Sequence, residues 1–127
     1  MRIIICDDDM ELAEQLEKIL EEFFEKDSIK VPEIVIYNNG KDLLNDAENK
    51  DIVFLDIEMP GMNGIYVGNK LKEKNKAVII FVVTSYSQYL DEAMRFHVFR
   101  YLSKPLEKQR IFRNMKDALA LYNSSII

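Results

Sequence analysis

The chain has a single cysteine, a single histidine and no apolar stretch close to the roughly 18 residues that a membrane-crossing helix requires. Cys6 has no partner for an intrachain disulfide, so a disulfide-stapled scaffold is excluded. It sits in the first apolar run and reads as core filler in a reducing compartment, which makes the cytoplasm the expected location. Long Lys/Arg runs are also absent and the net charge is −5, a poor balance for gripping a phosphate backbone. Any nucleic-acid contact is therefore expected from another domain, and no membrane contact is expected. The start, Met1-Arg2-Ile3-Ile4-Ile5, turns acidic too soon for a secretory signal. No internal repeat, low-complexity segment or interdomain linker interrupts the chain.

What is present suits one folded unit. The 127 residues are 48% hydrophobic, and the 31% that are charged interleave with apolar residues throughout. Short apolar runs rich in Ile, Val, Phe and Tyr predict strands over residues 3–6, 34–37, 52–55, 78–83 and 98–102. The first, third and fourth are almost wholly apolar, as in strands covered on both faces; the other two fit sheet edges. Leu12, Ala13, Leu16, Ile19, Leu20, Phe23 and Phe24 form one stripe of a first helix, and Ile111, Met115, Ala118, Leu119 and Tyr122 repeat the pattern in a last one. Shorter helices are predicted over residues 41–48, 64–74 and 87–96.

Strict alternation of five strands and five helices implies an α/β fold: a flavodoxin-like, doubly wound, five-stranded parallel sheet of order 2-1-3-4-5 with helices on both faces. Residues 1–122 form the expected domain, and residues 123–127 read as a frayed end or the start of a linker. In such sheets ligands bind beyond the carboxyl ends of the strands. The residues that follow the strands are Asp7-Asp8-Asp9, Asn38-Asn39, Asp56, Thr84-Ser85 and Ser103-Lys104-Pro105.

Since the first and third strands are neighbours in this order, Asp7, Asp8 and Asp56 are brought together. Two like charges about 4 Å apart cost roughly 4 kcal/mol at an effective dielectric near 20, so the cluster either takes up protons or binds a cation. Oxygen ligands with room for water favour Mg²⁺. A cation beside Asp56, with Lys104 supplying a second positive charge, suits phosphoryl transfer to a carboxylate. Taken singly, each residue has a plainer role. Asp8-Asp9-Met10-Glu11 reads as a capping box with Asp8 as cap, Asp56 as a turn aspartate, Thr84 as a helix cap and Lys104 as a surface lysine.

Together the residues resemble the receiver domain of two-component response regulators. The resemblance rests on Asp7-Asp8, the run from Phe54-Leu55-Asp56 through Glu58-Met59-Pro60-Gly61 to Gly64, Thr84, and Tyr101-Leu102-Ser103-Lys104-Pro105, in that order. The stretch from Phe81 to Tyr89 is similar to receivers joined to LytTR-type DNA-binding domains. The resemblance implies that Asp56 accepts a phosphoryl group from a sensor histidine kinase. It also implies that Asp8, Asp56 and the Glu58 backbone carbonyl ligate Mg²⁺, with Asp7 acting through water. Thr84 and Lys104 would hold phosphoryl oxygens, Tyr101 would be the switch aromatic and Pro105 would follow a cis peptide bond. The surface of the fourth helix, fifth strand and fifth helix would rearrange, commonly into a homodimer, to control an output such as transcription.

Four positions depart from the family pattern: His97-Val98 stands where Gly-Ala is usual, Asn63 where Asp is frequent, and Gly68 lies inside a helix. Rival readings are a stand-alone receiver acting by partner recruitment or phosphorelay, and an aspartate-nucleophile phosphatase built on Asp56-Ile57-Glu58. Such phosphatases carry their motif on the first strand, whereas here it follows the third. A flavodoxin-type redox role is opposed by the three aspartates after the first strand, which would repel a flavin phosphate.

Overall fold

The computed structural model describes residues 1–85 and 97–125. The five strands are β1 (Arg2–Cys6), β2 (Glu33–Tyr37), β3 (Ile52–Leu55), β4 (Ile79–Thr84) and β5 (Arg100–Ser103). All pair in parallel in the order β2-β1-β3-β4-β5. The described helices are α1 (Met10–Lys26), α2 (Gly40–Asn45), α3 (Gly64–Lys74) and α4 (Lys108–Ser125). The helix expected over residues 87–96 lies outside the described residues.

Alternation along the strands divides the core in two. Ile3, Ile5, Ile52, Phe54, Ile79 and Phe81 pack with the apolar stripes of α1 and α4. Their chain neighbours Ile4, Cys6, Val53, Leu55, Ile80 and Val82 pack with α2 and α3 on the other face. Strands β1, β3 and β4 are thus buried on both sides, the physical reason for their almost wholly apolar sequences. Phe54 and Phe81, opposite each other in the register, stack at 4.7 Å between ring centroids, and Phe99 closes edge-on over Phe81.

Helix α1 starts one residue later than a cap at Asp8 would allow. Asp9 is the N-cap and accepts a hydrogen bond from the Leu12 backbone N–H at 3.1 Å, while the Asp9 N–H is held by Asp7 Oδ1 at 2.9 Å. The capping reading of Asp8 is therefore corrected, and its carboxylate is exposed and unused by the helix. Asn39 and Asn63 cap α2 and α3 in the same way.

Helix α2 is shorter than the expected 41–48 because Asp46 is drawn out of helical geometry by long-range partners. Its carboxylate accepts hydrogen bonds from the Arg2 guanidinium at 2.6 Å and from the Tyr37 hydroxyl. Lys50 then donates to the carbonyls of Asp46 and Glu48. At the other end of the chain α4 runs through Ser125, so residues 123–125, read as the start of a tail, are helical.

Before β5, His97 adopts φ +59°, the left-handed conformation that a glycine accepts at less cost. Strand β5 starts two residues later than expected, after Phe99 N–H has bonded to the Ile80 carbonyl at 2.8 Å. Among the described residues no helix is long and apolar enough to cross a membrane.

Candidate functional site

Parallel pairing sends the carboxyl ends of all five strands to one edge, and the register decides which residues meet there. Cys6 lies opposite Leu55, so the next residues, Asp7 and Asp56, emerge side by side, with Asp56 N–H bonded to the Cys6 carbonyl at 3.0 Å. Thr84 lies opposite Ser103, and Lys104 N–H continues that ladder to the Thr84 carbonyl at 3.1 Å. The chain then turns through a cis Lys104–Pro105 bond.

Carboxylate oxygens of Asp7, Asp8 and Asp56 lie within 4.8 Å of one another. Lys104 Nζ approaches from β5, 3.2 Å from Asp7 Oδ2 and 3.5 Å from Asp56 Oδ2. Asp7 and Asp56 are only 2% and 5% exposed, far below the usual exposure of aspartate, whereas Asp8 is open to solvent. An open cavity of about 570 Å³ begins at this cluster, lined by Asp8, Asp56, Glu58, Met59, Ser85 and Lys104 among others.

Burial and the adjacent Asp7 charge push the Asp56 carboxyl up to about 7, against the opposing pull of Lys104 and the Glu58 N–H. Burial likewise raises the Asp7 carboxyl, despite the Asp9 N–H and Lys104. The Lys104 ammonium loses hydration, but the charges of Asp56 and Asp7 outweigh that loss and raise its affinity for the proton. Three acids facing one ammonium leave a negative excess whenever all are ionised. The pocket therefore stores electrostatic free energy that either a proton or a cation releases.

The segment from Asp56 to Gly64 forms the rim. Gly61 turns it at φ +86°. Gly64 N–H returns to the Ile57 carbonyl at 2.8 Å, and a Cβ on Gly64 would lie 2.2 Å from the Asp56 carbonyl oxygen. That close approach fixes the start of α3 directly against the backbone of Asp56. No spacing in the sequence signals this contact, beyond a glycine just inside a helix start. Met59, also unsingled in the sequence, is buried with its Sδ 3.8 Å from Cys6 Sγ, and so forms part of the floor.

Thr84 is buried at the end of β4. Tyr101 is half-buried on β5 opposite Val82 and packs with the core on the α2 and α3 side. Glu58 is exposed, and its N–H donates to Asp56 Oδ1 at 3.3 Å. Of the surface expected to rearrange, β5 and α4 are described and the helix over residues 87–96 is not.

A doubly wound parallel sheet that buries two acids at the carboxyl ends of two adjacent inner strands, with an exposed third acid and a half-buried lysine from the edge strand beside them, has the architecture of a signalling receiver domain. The chain belongs to the response regulator receiver domain family, whose model matches residues 3–116. It is a signalling switch domain of the receiver type. It is 35% identical over 114 residues to the sensory transduction protein LytT of Oceanobacillus iheyensis, covering 87% of this chain and 44% of LytT. The chain spans less than half the length of curated relatives such as this one. Among solved structures, the response regulator TrrA of Thermotoga maritima, in complex with Mg²⁺ and a beryllium fluoride, is 29% identical with a TM-score of 0.78, over 92% of this chain and 97% of TrrA. The response regulatory domain of mrkE from Klebsiella pneumoniae has the same fold, with a TM-score of 0.87 over 98% of this chain and 99% of that one.

Proposed function

We propose that Asp56 is the phosphoacceptor of this domain. The observation that carries the reading is the meeting, at the mouth of an open cavity, of the 5% exposed Asp56 with two further aspartates and Lys104. An Asp56 carboxylate oxygen attacks the phosphorus of a phosphohistidine on a sensor histidine kinase. The P–N bond breaks, the electron pair leaves with the imidazole, and an aspartyl phosphate forms. Lys104 pairs with a phosphoryl oxygen, and the Thr84 hydroxyl donates a hydrogen bond to another.

The donor set fits Mg²⁺: three carboxylates in mutual reach, one of them exposed and free of any capping duty. Asp8, Asp56 and the Glu58 backbone carbonyl would hold the ion directly and Asp7 through water. When bound, Mg²⁺ supplies the positive charge that keeps Asp56 ionised and offsets the incoming phosphoryl oxygens. With Thr84 drawn toward the phosphate, Tyr101 turns inward and the surface around β5 and α4 changes shape. The output is a homodimer that acts on transcription in the cytoplasm, through a LytTR-type DNA-binding domain beyond this chain, as the similarity to LytT supports.

The test is a small-molecule phosphodonor with Mg²⁺, read by intact mass. The parent gains one phosphate; Asp56→Asn and the parent in excess chelator gain none. Equal labelling of Asp56→Asn would overturn the assignment of Asp56, and equal labelling in chelator that of the metal.

A further inference from the structure

Helices α1 and α4 lie side by side on one face of the sheet, joined by the Phe23–Phe112 contact at 5.4 Å between centroids and by Lys108–Glu22 at 2.6 Å. Their outward surfaces carry opposite charge. Helix α1 presents six glutamates, Glu11, Glu14, Glu17, Glu21, Glu22 and Glu25, against two lysines. Helix α4 opens with Lys108, Arg110, Arg113 and Lys116 against the single acid Asp117, which is already paired with Arg100. In a chain of net charge −5 this separation onto two adjacent helices is pronounced.

Most of these charges have no ion-pair partner among the described residues. Among the described residues only Glu22 of the six glutamates is ion-paired, and neither Arg113 nor Lys116 has an acidic partner. Glu17, Glu21 and Glu25 follow at helical spacing of four, where like charges repel and cost helix stability. Lys26, which ends α1, lies over the Phe112 ring, and with Arg113 and Lys116 it surrounds a hollow of about 270 Å³ on the seam between the helices.

We infer that this face is a self-association surface, and that its occupant is a second copy of the same chain. Charge complementarity identifies the occupant. A 180° rotation about an axis running between α1 and α4, in the plane of the face, sets the acidic helix of each copy on the basic helix of the other. The contact is then made twice. The levels agree as well: within one copy Lys108 meets Glu22 and Phe112 meets Phe23, so the rotation brings Arg113 and Lys116 of each copy to the level of Glu22 and Glu25 of the other. Exposed ion pairs contribute little each, so the association is transient, with a Kd on the order of 10–100 μM. This surface is separate from the acid pocket, and its use requires neither phosphate nor metal.

The test uses the unphosphorylated chain, with oligomeric state followed by sedimentation velocity over a concentration series. The parent dimerises, and raising salt from about 0.1 M to about 1 M, which shortens the screening length from roughly 10 Å to roughly 3 Å, increases Kd at least about tenfold. Arg113→Glu/Lys116→Glu and Glu22→Lys/Glu25→Lys are each monomeric, and an equimolar mixture of the two dimerises again, since both contacts are then complementary. All these positions are surface ones, and each variant takes up phosphate as the parent does, which separates failure here from failure of the phosphoacceptor reading. A parent that stays monomeric at all concentrations, or variants that dimerise like the parent, overturns the inference and leaves the face to a partner of other chemistry. A mixture that does not recover overturns the proposed pairing.

Discussion

Replacing Asp56 with asparagine is expected to stabilise the metal-free domain, and by an amount that depends on pH. Its side chain is 6% exposed, and burial together with Asp7 raises its carboxyl from 3.8 to about 7. Between those two values the native state holds a proton that the unfolded chain gives up. Parent stability therefore falls as pH rises through this window and levels off above it. The full opposing contribution is about 4 kcal/mol at most, and the part gained between about pH 5 and pH 8 is about 2–3 kcal/mol. Asparagine carries no such proton, yet keeps an oxygen for the Glu58 N–H and leaves Lys104 its contact with Asp7. In EDTA, the Tm advantage of Asp56→Asn over the parent should thus widen by about 10 °C from pH 5 to pH 8, at roughly 4 °C per kcal/mol for a chain of this size. Saturating Mg²⁺ at pH 8 should narrow it again by stabilising the parent more. Thermal melts followed by far-UV circular dichroism provide the measurement. An advantage that is the same at both pH values, or a variant less stable than the parent at pH 8, would refute the account of Asp56 as a carboxyl held against its own field.

Two further outcomes follow from contacts elsewhere. Gly64→Ala forces a Cβ to within 2.2 Å of the Asp56 carbonyl and 2.7 Å of Ile57 Cα, both backbone, and should cost about 3 kcal/mol in urea denaturation while slowing phosphate uptake. Retention of parental stability would mean that α3 does not start against Asp56. For Asp46 burial alone would raise the carboxyl, but the Arg2 guanidinium and the Tyr37 hydroxyl outweigh it and hold it well below the usual carboxylate range. Asp46→Asn should therefore lose about 2–4 kcal/mol at neutral pH, and the deficit should shrink as pH falls through and below the ordinary carboxylate range, where the parent's own advantage is lost. A deficit unchanged down to low pH in denaturant melts would show that charge is not what Asp46 contributes.

The sequence by itself determined the layer architecture. The period-two and helical apolar patterns are local, and β1, β3 and β4 are apolar but for Arg2 and Thr84 at their ends because both of their faces meet helices. It also determined the chemical inventory at the strand ends, since in a parallel sheet every strand delivers its next residue to the same edge. Tertiary structure decided what depends on distance between segments far apart in the chain. Local pattern made Asp8 the cap of α1, whereas the bond from the Asp9 N–H to Asp7, itself held beside Lys104, selects Asp9 and leaves Asp8 free. Asp46 looked helical until Arg2 and Tyr37 claimed it. The raised Asp56 carboxyl, the approach of Gly64 to its backbone and the opposed charges on neighbouring α1 and α4 likewise have no local signature. Each arises from a register, a burial or an adjacency created only when the sheet is assembled.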